Sequence, residues 1–313
     1  MTRHVVFGTG QVGRPLVQQL VAAGHDVVAV NRAGHAELPG ARVVAGDASD
    51  AASTTPICAC ADVVYFCLNA MNYGRWDQEF PPLQRGVLAG AARAQARLVV
   101  LDNLYSYGPP QGRALVETMA AKPTSKKSGT RALMTEELQS AHAAGQVQVA
   151  IGRASDFFGP GAVASALGEA VFAAALTGGR AQVMGDPEQP HSYSYVPDVA
   201  AGLAVLGTAP AAIGEIWHLP VAPARTTRHI IDQVYRAAGH PPRLLAAGSM
   251  TLRALGLVQP SLREYLHTLY QFTDPWIVDD SKFRTAFGMA GTPLDDALDA
   301  TLAWYRDPAN APE

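Results

Sequence analysis

Through the first half of the chain, apolar residues fall in short unbroken blocks separated by amphipathic stretches. HVVFG, DVVAVNR, ARVVAGD, DVVYFCL, RLVVLDN and VQVAIGR are each rich in valine and mostly continuous in their hydrophobicity. Blocks of that kind predict strands buried on both faces, not strands with one wet side. Between them, RPLVQQLVAAG predicts a helix stopped by Gly24, and FPPLQRGVLAGAARAQA a long one with Pro81 and Pro82 near its start. GTRALMTEELQSAHAAG predicts a third. Strands alternating with helices make a parallel sheet covered on both sides, so the fold class is α/β, doubly wound.

Beyond Gly159 the alternation is looser. The sequence predicts an alanine-rich helix in VASALGEAVFAAAL, a loop over GGRAQVMGDPEQPHSYSY and a helix from Pro197. A short strand, EIWHLP, and helical segments to the end follow. A chain of 313 residues exceeds one ordinary core. The expected division is a sheet domain over 1–165, to which 197–222 returns, and a smaller, mainly helical substrate lobe from 166–196 and 223–313.

Composition narrows the class. Hydrophobic residues make up 48% and charged residues 16%, as in a compact enzyme, and a net charge of −3 gives no footprint for nucleic acid. No basic leader precedes the first strand and no apolar run is long enough for a bilayer, so a soluble cytoplasmic protein without membrane contact is expected. Cys58, Cys60 and Cys67 lack zinc-ligand spacing and a fourth ligand, so they read as small hydrophobes and no metal is expected.

The first chemistry lies at the first strand-to-helix turn. Gly8, Gly10 and Gly13, with Thr9, Gln11 and Val12 between them, spell G-x-G-x-x-G where a Rossmann sheet binds a dinucleotide. The first glycine permits the turn, the second admits the pyrophosphate, and the third lets helix and strand close together. The phosphates would rest on the helix N-terminus. An NAD site usually ends its second strand in a carboxylate. This chain has Asn31 and Arg32 there, with Arg14 on the first helix, so a 2′-phosphate meets a guanidinium and NADP is expected in preference to NAD. Asp47 and Ala48 follow the third strand, where the adenine edge should lie, and Asp50 is placed to cap the next helix.

These residues resemble the short-chain dehydrogenase/reductase superfamily in its extended, epimerase/dehydratase-like branch. The likeness runs over nearly the whole chain, through GDASD, CLNA, LVVLDNLYSYGP, GRASDFFGPG, YSYVPDVAAGL and LDDALDATLAWYR. It implies the Rossmann fold, cofactor contacts at Leu68, Asn69 and Ala154, and a homodimer paired through two helices, which GVLAGAARAQA would suit. The departures bear on the reaction. The branch commonly has G-x-x-G-x-x-G. Its catalytic Ser or Thr position is here Asn103, and its Tyr and Lys, four residues apart, fall where this chain has Lys127 and Arg131.

Residues four apart share a helix face, so Lys127 and Arg131 are expected to point together into the cofactor cleft. Arg131 can bind a ribose or an anion but cannot release a proton near neutral pH, whereas Lys127 can, and Asn103 can polarise a carbonyl. Three readings stand. Lys127 is the proton donor of an NADPH-dependent reduction of a carbonyl or activated double bond; or a displaced phenol, Tyr105, Tyr107, Tyr193 or Tyr195, takes that role; or the site is silent and the protein senses dinucleotide. A nucleotide-sugar epimerase or dehydratase is the alternative within the same fold.

Lys122, Lys126, Lys127 and Arg131 crowd a helix start, where cations are disfavoured unless they face an anion. A small substrate that is acidic or oxygen-rich would supply one. Asp156 and Phe157 in DFFGPG are expected on the substrate side, with His191 and Tyr193 of EQPHSYSY as contacts, and LREYLHTLYQFTDPW as pocket wall.

Overall fold

The computed structural model describes residues 2–70, 72–248 and 266–310. Seven parallel strands form the central sheet. Six are β1 (Arg3–Phe7), β2 (Asp26–Asn31), β3 (Arg42–Ala45), β4 (Val63–Phe66), β5 (Arg97–Asp102) and β6 (Gln148–Arg153); the seventh is β11 (Ile216–His218). Their order, β3-β2-β1-β4-β5-β6-β11, reverses direction between β1 and β4. Such a switch point opens a crevice at the carboxyl ends of the strands.

The unbroken valine blocks have a direct structural cause. Alternate side chains of one strand enter different cores. Val5 and Phe7 of β1 join Val64, Phe66, Leu98 and Val100, under α3 (Trp76–Ala94) and α4 (Lys126–Ala143). Val6 joins Val27, Tyr65 and Val99, under α1 (Gly13–Ala22) and α6 (Val196–Thr208). A strand with no wet face has no polar positions to alternate with. The short α2 (Ala51–Cys58) packs beside α3 and starts at Asp50, whose side chain accepts the Ala52 N–H at 2.9 Å, the expected cap.

Element limits differ from the sequence pattern in places. Pro81 and Pro82 lie in the second turn of α3, not near its start, because the helix begins at Trp76 with Asp77 and Glu79 favouring its first turn. Helix α4 begins at Lys126, closed by a reciprocal bond set between Ser125 and Ser128. Of VASALGEAVFAAAL only α5 (Glu169–Leu176) is helical.

The stretch expected as one loop carries three short strands. These are β8 (Ala181–Met184), β9 (Pro190–His191) and β10 (Ser194–Tyr195), paired respectively with β13 (Leu244–Ala247), β12 (Arg225–Thr226) and β7 (Phe157–Phe158). All three partners are at least thirty residues away, so no local periodicity announces them. A third core joins Phe158, Val171 and Phe172 to Ile230, Ile231 and Val234 of α7 (Thr227–Ala238) and Leu298 and Leu302 of α10 (Leu294–Arg306). Between α7 and α10 come α8 (Tyr270–Thr273) and α9 (Ser281–Phe287).

Residues 276–279 form a strap between two parts of the molecule. Ser192 N–H donates to the Trp276 carbonyl at 2.8 Å, and Trp276 N–H to that of Pro190 at 2.9 Å. On the other side Leu115 N–H donates to the Ile277 carbonyl at 2.7 Å, and Asp279 N–H to that of Leu115 at 2.9 Å. The strap ties the loop after β5 to the β9 region. Of the segment expected as pocket wall, residues 262–265 lie outside the described residues; Trp276 is fully buried in the strap's own small core with Leu104, Tyr107 and Leu115. No helix among the described residues is long and apolar enough to cross a membrane.

Candidate active site

At the first turn the three glycines differ in what surrounds them. Gly8 has φ +107°, and a Cβ there would stand 2.5 Å from the Cys67 carbonyl oxygen. A Cβ on Gly13 would lie 1.9 Å from the carbonyl oxygen of Gly8, so this glycine is needed for strand and helix to touch. Around Gly10 a Cβ would meet nothing within 4 Å. The middle glycine therefore opens onto space, and no side chain caps the start of α1 beside it. Open backbone at an uncapped helix start fits a pyrophosphate.

At the end of β2, Asn31 is spent internally. Its amide donates to Thr9 Oγ1 and to the His35 carbonyl, each at 3.0 Å, and its Oδ1 accepts Gly34 N–H at 2.7 Å. Asn31 braces the glycine turn against the next loop, where direct cofactor contact was expected. Arg32 is exposed, and Arg14 reaches over the same loop to donate to the Glu37 carbonyl at 2.8 Å. Two guanidiniums thus stand beside the loop that follows β2. Asp47, after β3, accepts the Ser49 hydroxyl and N–H, and these bonds hold its carboxyl below its ordinary value, with Arg32 adding to the effect. Ala48 is buried, and its carbonyl faces Gly86 of α3 closely, so its main-chain oxygen packs against a helix. Leu68 and the exposed Asn69 follow β4, and Ala154 follows β6, all at the carboxyl edge of the sheet.

Further along that edge lies a buried charge cluster. Asp102 closes β5, and its carboxylate receives Arg131 Nε at 2.8 Å as well as Arg131 Nη2. From the other side come Arg153 Nε at 3.0 Å and Thr135 Oγ1 at 3.3 Å. Burial alone would push the Asp102 carboxyl up; the two guanidiniums outweigh it and hold it below the ordinary carboxylate range. Arg131 therefore does not stand in the cleft beside Lys127. It turns to Asp102 and lies over the Phe80 ring at 4.6 Å. Lys126 is likewise answered from within, by Asp77 at 2.8 Å. Two of the cations that had suggested an acidic substrate already face protein carboxylates. Lys127 is buried at the helix start.

Neither Asp102 nor Arg153 was singled out from the sequence. A charged residue closes each of the adjacent strands β5 and β6, but nothing local in the sequence pairs the two.

The phenols separate cleanly. Tyr107 is buried, with its hydroxyl 3.0 Å from His218 Nε2. The other ring nitrogen of His218 lies 2.9 Å from the Asp279 carbonyl, which can only accept, so Nδ1 carries the hydrogen and Nε2 accepts from Tyr107. Burial pushes His218 down to about 4, keeping it neutral, and pushes Tyr107 up. Tyr193 is buried with its hydroxyl on Thr227 Oγ1 at 2.8 Å, and burial raises it too. Its expected substrate contact is replaced by a core role. Tyr195 is half-buried and raised, chiefly by burial. Tyr105 is half-buried, stacked on Trp76 at 5.9 Å, and its N–H donates to Asn103 Oδ1 at 3.1 Å. Asn103 itself is half-buried, and its own N–H donates to Asp102 Oδ1 at 2.8 Å.

After β6, where the substrate side was expected, Asp156 keeps partial exposure, with 19% of its side chain accessible. Phe157 is half-buried in β7. His191 is buried, 3.0 Å from Asp156 through Nε2 and 3.0 Å from the Gln271 carbonyl through Nδ1. The imidazole thus has no face toward a ligand, and its direct substrate contact is replaced by a bond to Asp156.

A family model described as NAD dependent epimerase/dehydratase family matches residues 5–219, more than half of the chain. The chain belongs to that family. Its members are NAD(P)-dependent, and the glycine turn with its open middle position is the part of this epimerase/dehydratase family chain that fits the dinucleotide. Among solved structures it is similar to the dTDP-glucose 4,6-dehydratase of Bacillus anthracis in complex with NAD, at 14% identity and TM-score 0.80, covering 97% of this chain and 96% of that one. The dTDP-glucose 4,6-dehydratase DesIV of Streptomyces venezuelae shares 21% identity, with TM-score 0.78 over 98% of both chains. The UDP-N-acetylglucosamine 4-epimerase of Bacillus cereus shares 13%, with TM-score 0.78 over 100% of this chain and 99% of that one. At such identities the likeness speaks for the fold. No curated protein sequence matches the chain.

Proposed function

We propose that this family member is an NADP-dependent enzyme acting at an oxygen-bearing carbon of a small, hydroxyl-rich molecule. The observation that carries it is the open backbone at Gly10 with Arg14 and Arg32 at the far side of the turn. A bound dinucleotide would supply or accept the hydride. Gly8, Gly10 and Gly13 would hold its pyrophosphate, with Thr9, Gln11 and Val12. Leu68, Asn69 and Ala154 would line its path, and Asp47 the adenosine end. Lys127 and Asn103 would stand at the nicotinamide end, with Tyr105 beside them. The lobe of 166–196 and 223–313 would choose the substrate.

Two forms of this chemistry remain distinct. The neighbours described as sugar-nucleotide dehydratases and epimerases favour a redox-neutral conversion with a retained cofactor, over net reduction of a carbonyl or double bond. Lysine at position 127, where the superfamily has tyrosine, favours the reverse. Purified protein is to be extracted for bound dinucleotide, titrated with NADPH and NADH, and incubated with dTDP-glucose, UDP-N-acetylglucosamine and a carbonyl panel. A tenfold or greater preference for NADPH, lost on Arg32→Ala, is expected, and equal affinity overturns the NADP assignment. Sugar conversion without net NADPH loss selects the first form, and NADPH consumption the second. Tight binding with neither turnover makes the protein a sensor. A homodimer is proposed through α3 and α4, where Leu133 is 68% exposed, and sedimentation tests it.

A further inference from the structure

Among the described residues, one pair must hold a proton that no other contact explains. His191 Nδ1 points at the main-chain carbonyl of Gln271, which can only accept, so Nδ1 carries a hydrogen. Nε2 faces Asp156 Oδ2 at 3.0 Å. A bare nitrogen lone pair against a carboxylate oxygen would repel, so one proton lies between them, on one atom or the other.

That proton has a single outlet. The His191 ring is stacked on Phe272 at 5.0 Å and packed against Tyr193 at 4.2 Å, and the residue is 2% exposed. Of the groups hydrogen-bonded to the ring, Gln271 is buried and Asp156 alone keeps surface. Its main chain is fixed, since its carbonyl accepts Ser194 N–H at 2.8 Å and Ser155 N–H donates to Ser194 Oγ at 2.9 Å. Asp156 also leaves the right edge of the sheet. Ala154 N–H donates to the Asp102 carbonyl at 3.0 Å, so the loop bearing Asp156 and the loop bearing Asn103 depart side by side from neighbouring strands. Of the candidate phenols, Tyr107 is committed to His218 and Tyr193 to Thr227.

We propose that Asp156 and His191 form a proton-sharing dyad that exchanges a proton with the substrate oxygen, in place of the superfamily's tyrosine. Asp156 is the residue that touches substrate, and His191 is its positioning partner. In the reducing direction a bound dinucleotide would supply hydride to the substrate carbon, and the dyad gives its proton to the oxygen that takes up the carbonyl π pair. Alcohol forms, and the dyad is left as Asp156 carboxylate beside neutral His191, refilled from water. In the oxidising direction every transfer reverses. The assignment rests on the oxidoreductase reading above.

The test has two arms, both on the full chain. In the first, protein labelled with [15N]histidine and [13C]aspartate is observed by NMR at pH 7, with and without NADP, and His191→Gln assigns the histidine signal. Expected is either two protonated ring nitrogens on His191 or a protonated Asp156 carboxyl; one ring proton together with an ionised Asp156 overturns the dyad. In the second arm, Asp156→Asn is compared with the native chain in whichever assay of the previous subsection is positive. General acid–base groups contribute about 100-fold or more, so a loss of at least that size with NADPH affinity unchanged is expected. Retained turnover in Asp156→Asn overturns the dyad while the oxidoreductase reading stands. A native chain inactive in every assay overturns both.

Discussion

Arg131 of α4 lies with its guanidinium against the carboxylate of Asp102 at the end of β5, a bond made entirely out of water. Arg153 holds the other carboxylate oxygen, so one acid answers two cations. Removing the acid leaves both guanidiniums buried without compensation. Asp102→Ala is expected to cost about 3–5 kcal/mol, the range for breaking a buried pair from one side. Urea unfolding measures it, and a cost below about 1 kcal/mol would show that the cluster relaxes into solvent.

The glycine turn separates binding from stability. Gly10→Val is expected to leave unfolding within about 0.5 kcal/mol of the native chain, because nothing stands near its Cβ, while NADPH affinity falls at least about tenfold. Gly13→Ala is expected to cost about 1–3 kcal/mol, since its Cβ would collide with the Gly8 carbonyl. Thermal unfolding without cofactor, followed by an NADPH titration, reads both.

Acid should weaken the fold through His218. Burial pushes it from its ordinary 6.5 down to about 4, so between these values the unfolded chain binds a proton that the folded chain refuses. Stability contributed this way is complete above about pH 6.5 and is lost as pH falls toward 4, by on the order of 3 kcal/mol. His218→Gln should flatten that slope in part, leaving the share of His4, which burial also pushes down to about 4. An unchanged slope in the variant would remove His218 from the account.

Lys127→Met is expected to weaken NADPH binding about tenfold, as for loss of one charge-assisted hydrogen bond. Isothermal titration reads it. Undiminished affinity together with undiminished turnover would take Lys127 out of the site.

Much of this architecture was legible in the sequence, and the reasons are local ones. Continuous valine blocks gave the parallel strands because both faces are covered, and Gly8, Gly10 and Gly13 stood at the turn where a dinucleotide needs them. The cluster around Asp102 was not legible, because Arg131 and Arg153 reach it from 29 and 51 residues away. Helical spacing correctly put Lys127 and Arg131 four apart, but it carried no information about a carboxylate on a neighbouring strand that would draw one of them inward. His191 was read as a loop histidine because the ring that covers it, Phe272, comes some eighty residues later. Strands β8 to β10 were missed for the same reason.

Hydrogen bonds from the strap of residues 276–279 reach both Leu115, in the loop that follows Asn103 and Tyr105, and Ser192, next to His191. Tilting the C-terminal portion would therefore drag the two walls of the crevice in concert. A chimaera that borrowed this portion from a relative, to alter which molecule is accepted, would have to import the matching 113–119 segment as well. Without it, the foreign piece would arrive out of register with the chemistry it was meant to serve.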